Sequence, residues 1–201
     1  MGDDKYTDSK LGIFMDSIRE QETGGLKDPW VRTSSDAGGV GSSAYGPYQV
    51  TKGLVDKFLR DDTIDFTSAE VSALAELSRQ QAVSLAIGGS DRYKYADKYS
   101  REDLDRFDYG GTLALSDEQK SSLLTAHEKM LVRIVEESNG NFVEAARRWH
   151  GGNNHRNERP HVEYSDSVMK KFMKRSRVDE PRRALRSSID KVLPQVGVSR
   201  L

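Results

Sequence analysis

Two glutamates close to the end of a predicted helix are the first residues that could act as acids. The stretch "IREQETGG", residues 18–25, places Glu20 and Glu22 just before two glycines that would stop a helix. With about 100° of rotation per residue, Glu22 falls within about 20° of Leu11 and continues the apolar stripe that begins there. Glu20 falls on the opposite side of the helix and is therefore predicted to face water.

The position predicted for Glu22 would change its chemistry. A carboxyl on an apolar helix face is partly desolvated, and the partial negative charge of a helix C-terminus acts in the same direction, so its pKa should be raised. A carboxylic acid that stays neutral near neutral pH is what glycosidic-bond cleavage needs to protonate the leaving oxygen. Helix geometry alone nevertheless favours the alternative, in which a helix-terminal glutamate simply turns its side chain to solvent.

Three later segments carry residues suited to binding a sugar: "SSAYGPYQV" at 42–50, "AARRWHGGN" at 145–153 and "VEYSDSV" at 162–168. Gly46 permits a backbone conformation or a close approach that a side chain would block. The Gln49 amide offers both donors and acceptors, which suits a bond to Glu22 or to an N-acetyl group. Trp149 and Tyr164 are flat and amphipathic, so each could stack on a sugar, although Trp149 at the end of an apolar helix face is more often a core residue.

Together with Gln21-Glu22-Thr23, these segments resemble, in order, the lysozyme-like lytic transglycosylase family, which includes goose-type lysozymes. That family has a helix ending Q-E-S, a small-x-x-G-x-x-Q turn, a helix followed by A-Y-N-x-G, and a final Y-V-x-x-V. The resemblance covers roughly residues 10–171. The sequence departs from the pattern at Thr23, at Pro47-Tyr48 and at Trp149-His150, which stand where Ser, Leu-Met and Tyr-Asn are usual.

The resemblance implies a mainly α, lysozyme-like domain that cleaves the bond between N-acetylmuramic acid and N-acetylglucosamine in peptidoglycan, with Glu22 as the single catalytic acid and base. Attack by the muramic C6 hydroxyl would give a 1,6-anhydro product. In the hydrolytic relatives downstream aspartates position a water; Asp36 lies where one could sit, but Thr51 stands where another is expected, which favours transglycosylation. The residues expected to bind substrate are Ser43, Tyr45, Gln49, Trp149, His150 and Tyr164.

Helical periodicity and caps predict the elements that must position these residues. The predicted helices begin near Thr7 or Asp8 and cover Gly46–Leu59 in part, Ser68–Ile87, Asp117–Glu137, Asn141–Trp149 and Tyr164–Arg177. A small β-hairpin is predicted near Ser42–Val50, and "HGGNNHRNERP" is predicted to be a loop. Gly88–Ser116 is predicted to be a long excursion from the core. Residues 1–175 are assigned to one lysozyme-like domain and residues 176–201 to a polar, basic C-terminal tail or linker.

Composition excludes several other classes of function. The 201-residue chain has no cysteine and a net charge of -1, so thiolate chemistry is excluded and no global basic field suggests nucleic acid. The histidines lack H-E-x-x-H spacing, so neither a metal nor a cofactor is predicted. No apolar run is long enough to span a bilayer, and the polar start lacks a secretory signal.

The expected partner is peptidoglycan, which places the site of action at the cell wall, in the periplasm or outside the cell. Without a secretory signal the enzyme would need another route there, such as delivery in a phage virion together with other virion proteins. The alternative function is a non-catalytic glycan-binding or structural virion module that keeps the same fold.

Overall fold

A computed structural model describes residues 10–24, 28–30, 44–87, 100, 113–151 and 158–192 of the chain. Within these ranges the protein is mainly helical and contains six helices, which confirms the predicted fold class at that level. They are α1 (Lys10–Thr23), α2 (Lys52–Phe58), α3 (Ser68–Ile87), α4 (Asp117–Glu137), α5 (Phe142–Gly151) and α6 (Arg159–Val192).

Helix α1 buries the face that its apolar periodicity predicts. Phe14 and Ile18 are fully buried, whereas Glu20 is exposed. After Thr23, the backbone N–H of Gly24 still donates to the carbonyl of Glu20 at 3.0 Å, so the helical hydrogen-bond pattern extends to Gly24. The N-cap predicted at Thr7 or Asp8 lies outside the described residues.

Helices α3 and α4 have the predicted bounds, although the N-cap of α3 is Thr67 and not Ser68. Ser116 accepts a hydrogen bond from the Gln119 backbone, and the Gln119 side chain bonds back to the Ser116 backbone, forming a capping box. Just before it, the Gln80 side chain of α3 bonds both the N–H and the carbonyl of Ala114, at 2.8 and 3.0 Å. The last residues of the predicted 88–116 excursion are therefore fixed against α3; the rest of it, apart from Ser100, lies outside the described residues.

The connection from α4 to α5 is a tight turn made by residues with positive φ. Asn139 and Gly140 have φ angles of 52° and 75°, and the Gly140 N–H donates to the carbonyl of Val135 at 2.9 Å. Asn141 then caps α5 through bonds to the Val143 and Glu144 N–H groups at 3.1 and 3.2 Å. This short connection makes α4 and α5 neighbours.

Helix α6 is much longer than the predicted Tyr164–Arg177 segment. Arg159 and Pro160 form its first turn, where the missing N–H of a proline costs nothing because that donor would have no intrahelical partner. The loop prediction for "HGGNNHRNERP" is therefore wrong at both ends, since α5 includes His150 and Gly151. At the other end α6 continues to Val192, through Pro181 and across the boundary predicted between residues 175 and 176, so no loop separates the two segments.

The predicted β-hairpin is reduced to one antiparallel bridge. Tyr45 and Val50 exchange backbone hydrogen bonds of 3.3 and 2.9 Å around the turn at Gly46–Gln49. No strand flanks this turn among the described residues, because α2 starts at Lys52, only two residues after the bridge.

The hydrophobic core lies between three packed helix pairs: α1 with α6, α5 with α6, and α3 with α4. Its largest fully buried side chains are Tyr45, Tyr48, Phe14, Phe58, Ile18, Leu74, Leu77, Leu123, Met130, Leu131 and His127. Among the described helices, none combines the length and apolarity needed to cross a membrane. The end of α1 lies against the start of α6, and this junction carries the candidate site.

Candidate active site

Glu22 lies at the junction of α1 and α6 and is partly buried there. The hydroxyl of Tyr164, on α6, donates a hydrogen bond of 2.6 Å to its Oε1. The side chain therefore points into the helix junction rather than to bulk solvent. The rotation of the helix predicted this direction, and Tyr164 supplies the partner that holds it.

Desolvation raises the pKa of Glu22 to about 7, and the hydrogen bond from Tyr164 opposes this by stabilising the anion. Burial also raises the pKa of Tyr164 well above its ordinary value, with the neighbouring Glu22 carboxylate acting in the same direction. Tyr164 therefore keeps its proton and acts as a donor. A carboxyl that titrates near neutral pH can both give and take a proton there.

Gln21, the residue before Glu22, ties α1 to α6 with two further hydrogen bonds. Its Oε1 accepts from the hydroxyl of Ser167 at 2.6 Å and from the ammonium of Lys171 at 2.9 Å. Tyr164, Ser167 and Lys171 are spaced at i, i+3 and i+7 and so share one face of α6. These bonds fix the position of α1 along α6 and thereby the position of the Glu22 carboxyl.

Glu20 differs from Glu22 in both exposure and chemistry. It forms an ion pair with Arg175 on α6, with a closest distance of 2.8 Å between Oε2 and the guanidinium. The hydrogen bond from Arg175 holds the pKa of Glu20 below its ordinary value, so this carboxylate stays charged at neutral pH. Of the two glutamates, Glu22 is thus the one with the properties of a neutral acid.

Gly46 lies where two backbone segments meet. It has a φ of +82°, and a Cβ built on it would lie 2.9 Å from the Trp30 ring. Its N–H donates to the carbonyl of Pro29 at 2.9 Å. Any side chain at this position would therefore be strained and would require the Trp30 ring to shift.

The amide of Gln49 is used inside its own turn. Gln49 adopts a φ of 47°, and its Nε2 donates to the carbonyl of Gly46 at 3.0 Å. The bond between Gln49 and Glu22 that the sequence suggested is not among the hydrogen bonds of the described residues. Gln49 is only partly buried.

Tyr45 and Trp149, both predicted to bind substrate, are core residues. Tyr45 is fully buried and its hydroxyl bonds that of Ser84 at 2.9 Å. Trp149 is 6% exposed, and its Nε1 donates to the carbonyl of Tyr48 at 3.2 Å. Neither ring offers a free face to a sugar, because each lies against its neighbours in the core. The alternative interpretation of Trp149 is the one that the structure supports.

Trp149 still connects the segments of the predicted motif. Its ring meets that of Tyr48 edge to face at 6.0 Å, and the guanidinium of Arg19, one turn before Glu22, lies 5.8 Å from the Tyr48 ring centroid. The next residue, His150, stacks on Tyr164 with ring centroids 4.3 Å apart. The end of α1, the Gly46 turn, the end of α5 and the start of α6 therefore meet in one place.

Two predicted site residues, Ser43 and Asp36, lie outside the described residues. Conversely, sequence reasoning missed His161, whose ring contacts that of His150, and Ser167 with Lys171. The spacing of His161 three residues before Tyr164 would have indicated a shared helix face if the helix had been predicted to start at Arg159. In the part of the chain that the structure describes, no three His, Asp or Glu side chains are placed to hold a metal ion.

No protein-family model matches the chain, and no curated protein or solved structure is significantly similar to it.

Proposed function

We propose that this protein is a peptidoglycan-cleaving enzyme in which Glu22 is the catalytic acid and base, acting on the bond between N-acetylmuramic acid and N-acetylglucosamine. The proposal includes the finer fold assignment, a lysozyme-like α-helical domain. It depends on one observation above all, namely the partly buried Glu22 carboxyl, with a pKa of about 7 and a hydroxyl donor on one of its oxygens.

The chemistry needs one carboxyl used twice. Protonated Glu22 donates its proton to the glycosidic oxygen as the bond from that oxygen to C1 of muramic acid breaks. The resulting carboxylate then takes the proton of the muramic C6 hydroxyl while its oxygen bonds to C1. The acid is thereby restored, and the product is a 1,6-anhydro end.

Two features of the site support this single-carboxyl scheme. No hydrogen bond or ion pair among the described residues joins Glu22 to a second carboxylate, and the nearest carboxylate in sequence, Glu20, is engaged by Arg175. Tyr164 keeps its proton in both halves of the reaction and stabilises the Glu22 carboxylate after the first half, since hydrogen bonds to an anion are the stronger ones.

The substitution Glu22→Gln tests the proposal, with Glu20→Gln as the matched control two residues away. Removing a general acid should lower muropeptide release from purified sacculi by about 10²- to 10⁴-fold. Glu20→Gln should leave release unchanged, because that carboxylate is exposed and ion-paired. Circular dichroism checks that both variants keep their helices.

Mass spectrometry of the released fragments tests the reaction type. A 1,6-anhydro end is lighter than a hydrolysed end by one water, so the product mass separates transglycosylation from hydrolysis. Activity that survives Glu22→Gln would overturn the proposal. Wild-type protein that binds sacculi but releases nothing would favour the alternative of a non-catalytic glycan-binding module.

A further inference from the structure

His150 and His161 form a bonded pair beside Tyr164. The Nδ1 atoms of the two histidines are 2.8 Å apart, and their rings meet at 67° with centroids 5.0 Å apart. The other contact of His150 is a nearly parallel stack on the Tyr164 ring, with centroids 4.3 Å apart and 17° between the planes. His150 is thus held between His161 and the tyrosine that bonds Glu22.

The absence of a side chain at Gly151 makes room for this pair. A Cβ at position 151 would lie 2.7 to 2.9 Å from three atoms of the His161 imidazole, which is too close for any real contact. Helix α5 therefore ends in a glycine at the point where the His161 ring packs against its backbone. Any larger residue would therefore require the His161 ring or the α5 backbone to shift.

The proton arrangement of the pair is restricted. At 2.8 Å one Nδ1 must carry a hydrogen and the other a lone pair, so two fully protonated rings would set two N–H groups against each other. Nε2 of His161 lies 3.5 Å from Oε2 of Glu158, so this nitrogen is placed to carry a hydrogen that faces the Glu158 carboxylate. Burial, and then the charge of His161, lower the pKa of His150.

Several charged and titratable groups lie close to the pair along the chain, at the start of α6 and at the end of α5. They are Glu158, immediately before α6, and on α6 Tyr164 and the exposed ion pair of Arg159 with Glu163. On α5 they are Arg148, which pairs with Glu144 and Glu137, and Arg147, which bonds the Ser165 hydroxyl. Among these described groups, Tyr164 is the one that links the pair to Glu22.

We propose that His150 and His161 are positioning residues for the Glu22 carboxyl. His161 holds the imidazole of His150 against the Tyr164 ring, and this stack keeps the Tyr164 hydroxyl on Oε1 of Glu22. The inference rests on the proposed function for its effect on catalysis, but the positioning itself can be measured without activity. It also changes the role of His150, from a contact to substrate into a support for the tyrosine.

The first test follows the titration of Glu22 by carbon NMR in the full chain. Tyr164→Phe gives the direction and size of the shift in the Glu22 pKa when the hydroxyl is lost altogether. His161→Ala and Gly151→Ala should each shift that pKa in the same direction by a smaller amount. Glu163→Gln, on the same helix and exposed, should leave it unchanged.

The second test uses kinetics on soluble glycan strands. His150→Ala should lower kcat between about tenfold and 100-fold with KM unchanged, because misplacing a reacting group slows the chemical step. His150→Phe keeps a flat ring on Tyr164 and should recover much of kcat. A rise in KM in both variants, with kcat unchanged, would show that His150 binds glycan and would overturn the inference.

The two proposals can fail separately. If Glu22→Gln is fully active, the proposed function falls, whatever the histidines do. If the titration of Glu22 is the same in wild type, His161→Ala and Gly151→Ala, the positioning role falls, even when Glu22 is shown to be catalytic. A purely structural role would lower the Tm of these variants without moving the Glu22 titration.

Discussion

Two titratable side chains, in two regions of the molecule, lose solvent with opposite results. At the junction of α1 and α6, desolvation raises the pKa of Glu22 to about 7, and Tyr164 donates to its carboxyl. In the core, burial lowers the pKa of His127 to about 3, and neither imidazole nitrogen finds a hydrogen-bond partner among the described residues. Desolvation favours the neutral form of both groups, and it does so by raising the pKa of the acid and lowering the pKa of the base.

The difference shows what allows a titratable group to exchange a proton near neutral pH. Glu22 is only partly buried, has a partner for its charged form, and so titrates in the neutral range. His127 is fully buried between Trp30 and Tyr48, with ring centroids 6.3 Å from each, and has no partner for a charge. Desolvation alone favours the neutral form of a group. Exchange of a proton near neutral pH also requires partial exposure and a hydrogen-bond partner that stabilises the charged form.

The largest effect expected from this comparison is on the pH dependence of activity. Because the acid must start protonated, kcat/KM should fall about tenfold per pH unit above about pH 7, reaching about 100-fold near pH 9. Tyr164→Phe should move this limb to higher pH, since it removes the donor that favours the anion. The rate of muropeptide release, measured as a function of pH for wild type and Tyr164→Phe, tests both expectations. If the alkaline fall in rate occurs at the same pH in Tyr164→Phe, Glu22 is not the group whose titration causes it.

The second effect is on the acid stability of the core. The unfolded chain protonates His127 at its ordinary pKa, whereas the folded chain does so only near pH 3, so stability falls as the pH drops between these values. Between about pH 7 and pH 4.5, His127 should account for a loss of about 2 to 3 kcal/mol. Urea unfolding of wild type and His127→Leu at both pH values measures this.

In His127→Leu that contribution should be absent. The variant should also be at least as stable as wild type at neutral pH, because leucine leaves no nitrogen unsatisfied. An equal loss on acidification in both proteins would place the acid sensitivity elsewhere in the chain.

The third effect is on the stability of the protein at alkaline pH, which Glu22 should lower as the pH rises. Its folded pKa lies above its unfolded value, so the stability present below about pH 4.5 is lost as the pH rises through about 7. Discounted for partial exposure, Glu22→Gln should stabilise the protein by about 2 kcal/mol near pH 8 and by little near pH 5. Urea unfolding at the two pH values measures it, and a variant no more stable near pH 8 would contradict the raised pKa.

The smallest effect is expected at the exposed end of the same helix junction. Arg175→Gln removes the ion pair with Glu20 and should cost less than about 1 kcal/mol, because exposed pairs are screened and conformationally costly. The Glu20 pKa should rise towards its ordinary value, while the pH limb of activity stays where it was. A shift of that limb would mean that Arg175 acts on Glu22 as well.

Much of the local structure could be predicted from the sequence. The bounds of α4 follow from Ser116 and the turn at Asn139-Gly140, since caps act on neighbouring residues. The start of α3 was predicted correctly, but its cap is Thr67 rather than the predicted Ser68. The prediction failed at residues 150–151 and 159–163, where the neighbouring glycines and Pro160 suggested a loop. A helix can accommodate Pro160 in its first turn, and it can end at Gly151 where the His161 ring packs against its backbone. The packing of α6 against α1 and α5 decides that these residues are helical, and this packing cannot be deduced from the local sequence.

The sequence by itself determined which of the two glutamates lies on the apolar face of α1, because rotation along a helix is a local property of the chain. Only the tertiary structure decided the partner of that glutamate, since Glu22 and Tyr164 are 142 residues apart and meet through the packing of α1 on α6. The same holds for Trp149, an aromatic that could bind sugar or fill a core. Its burial depends on where Tyr48 lies, 101 residues earlier, and no local pattern carries that information.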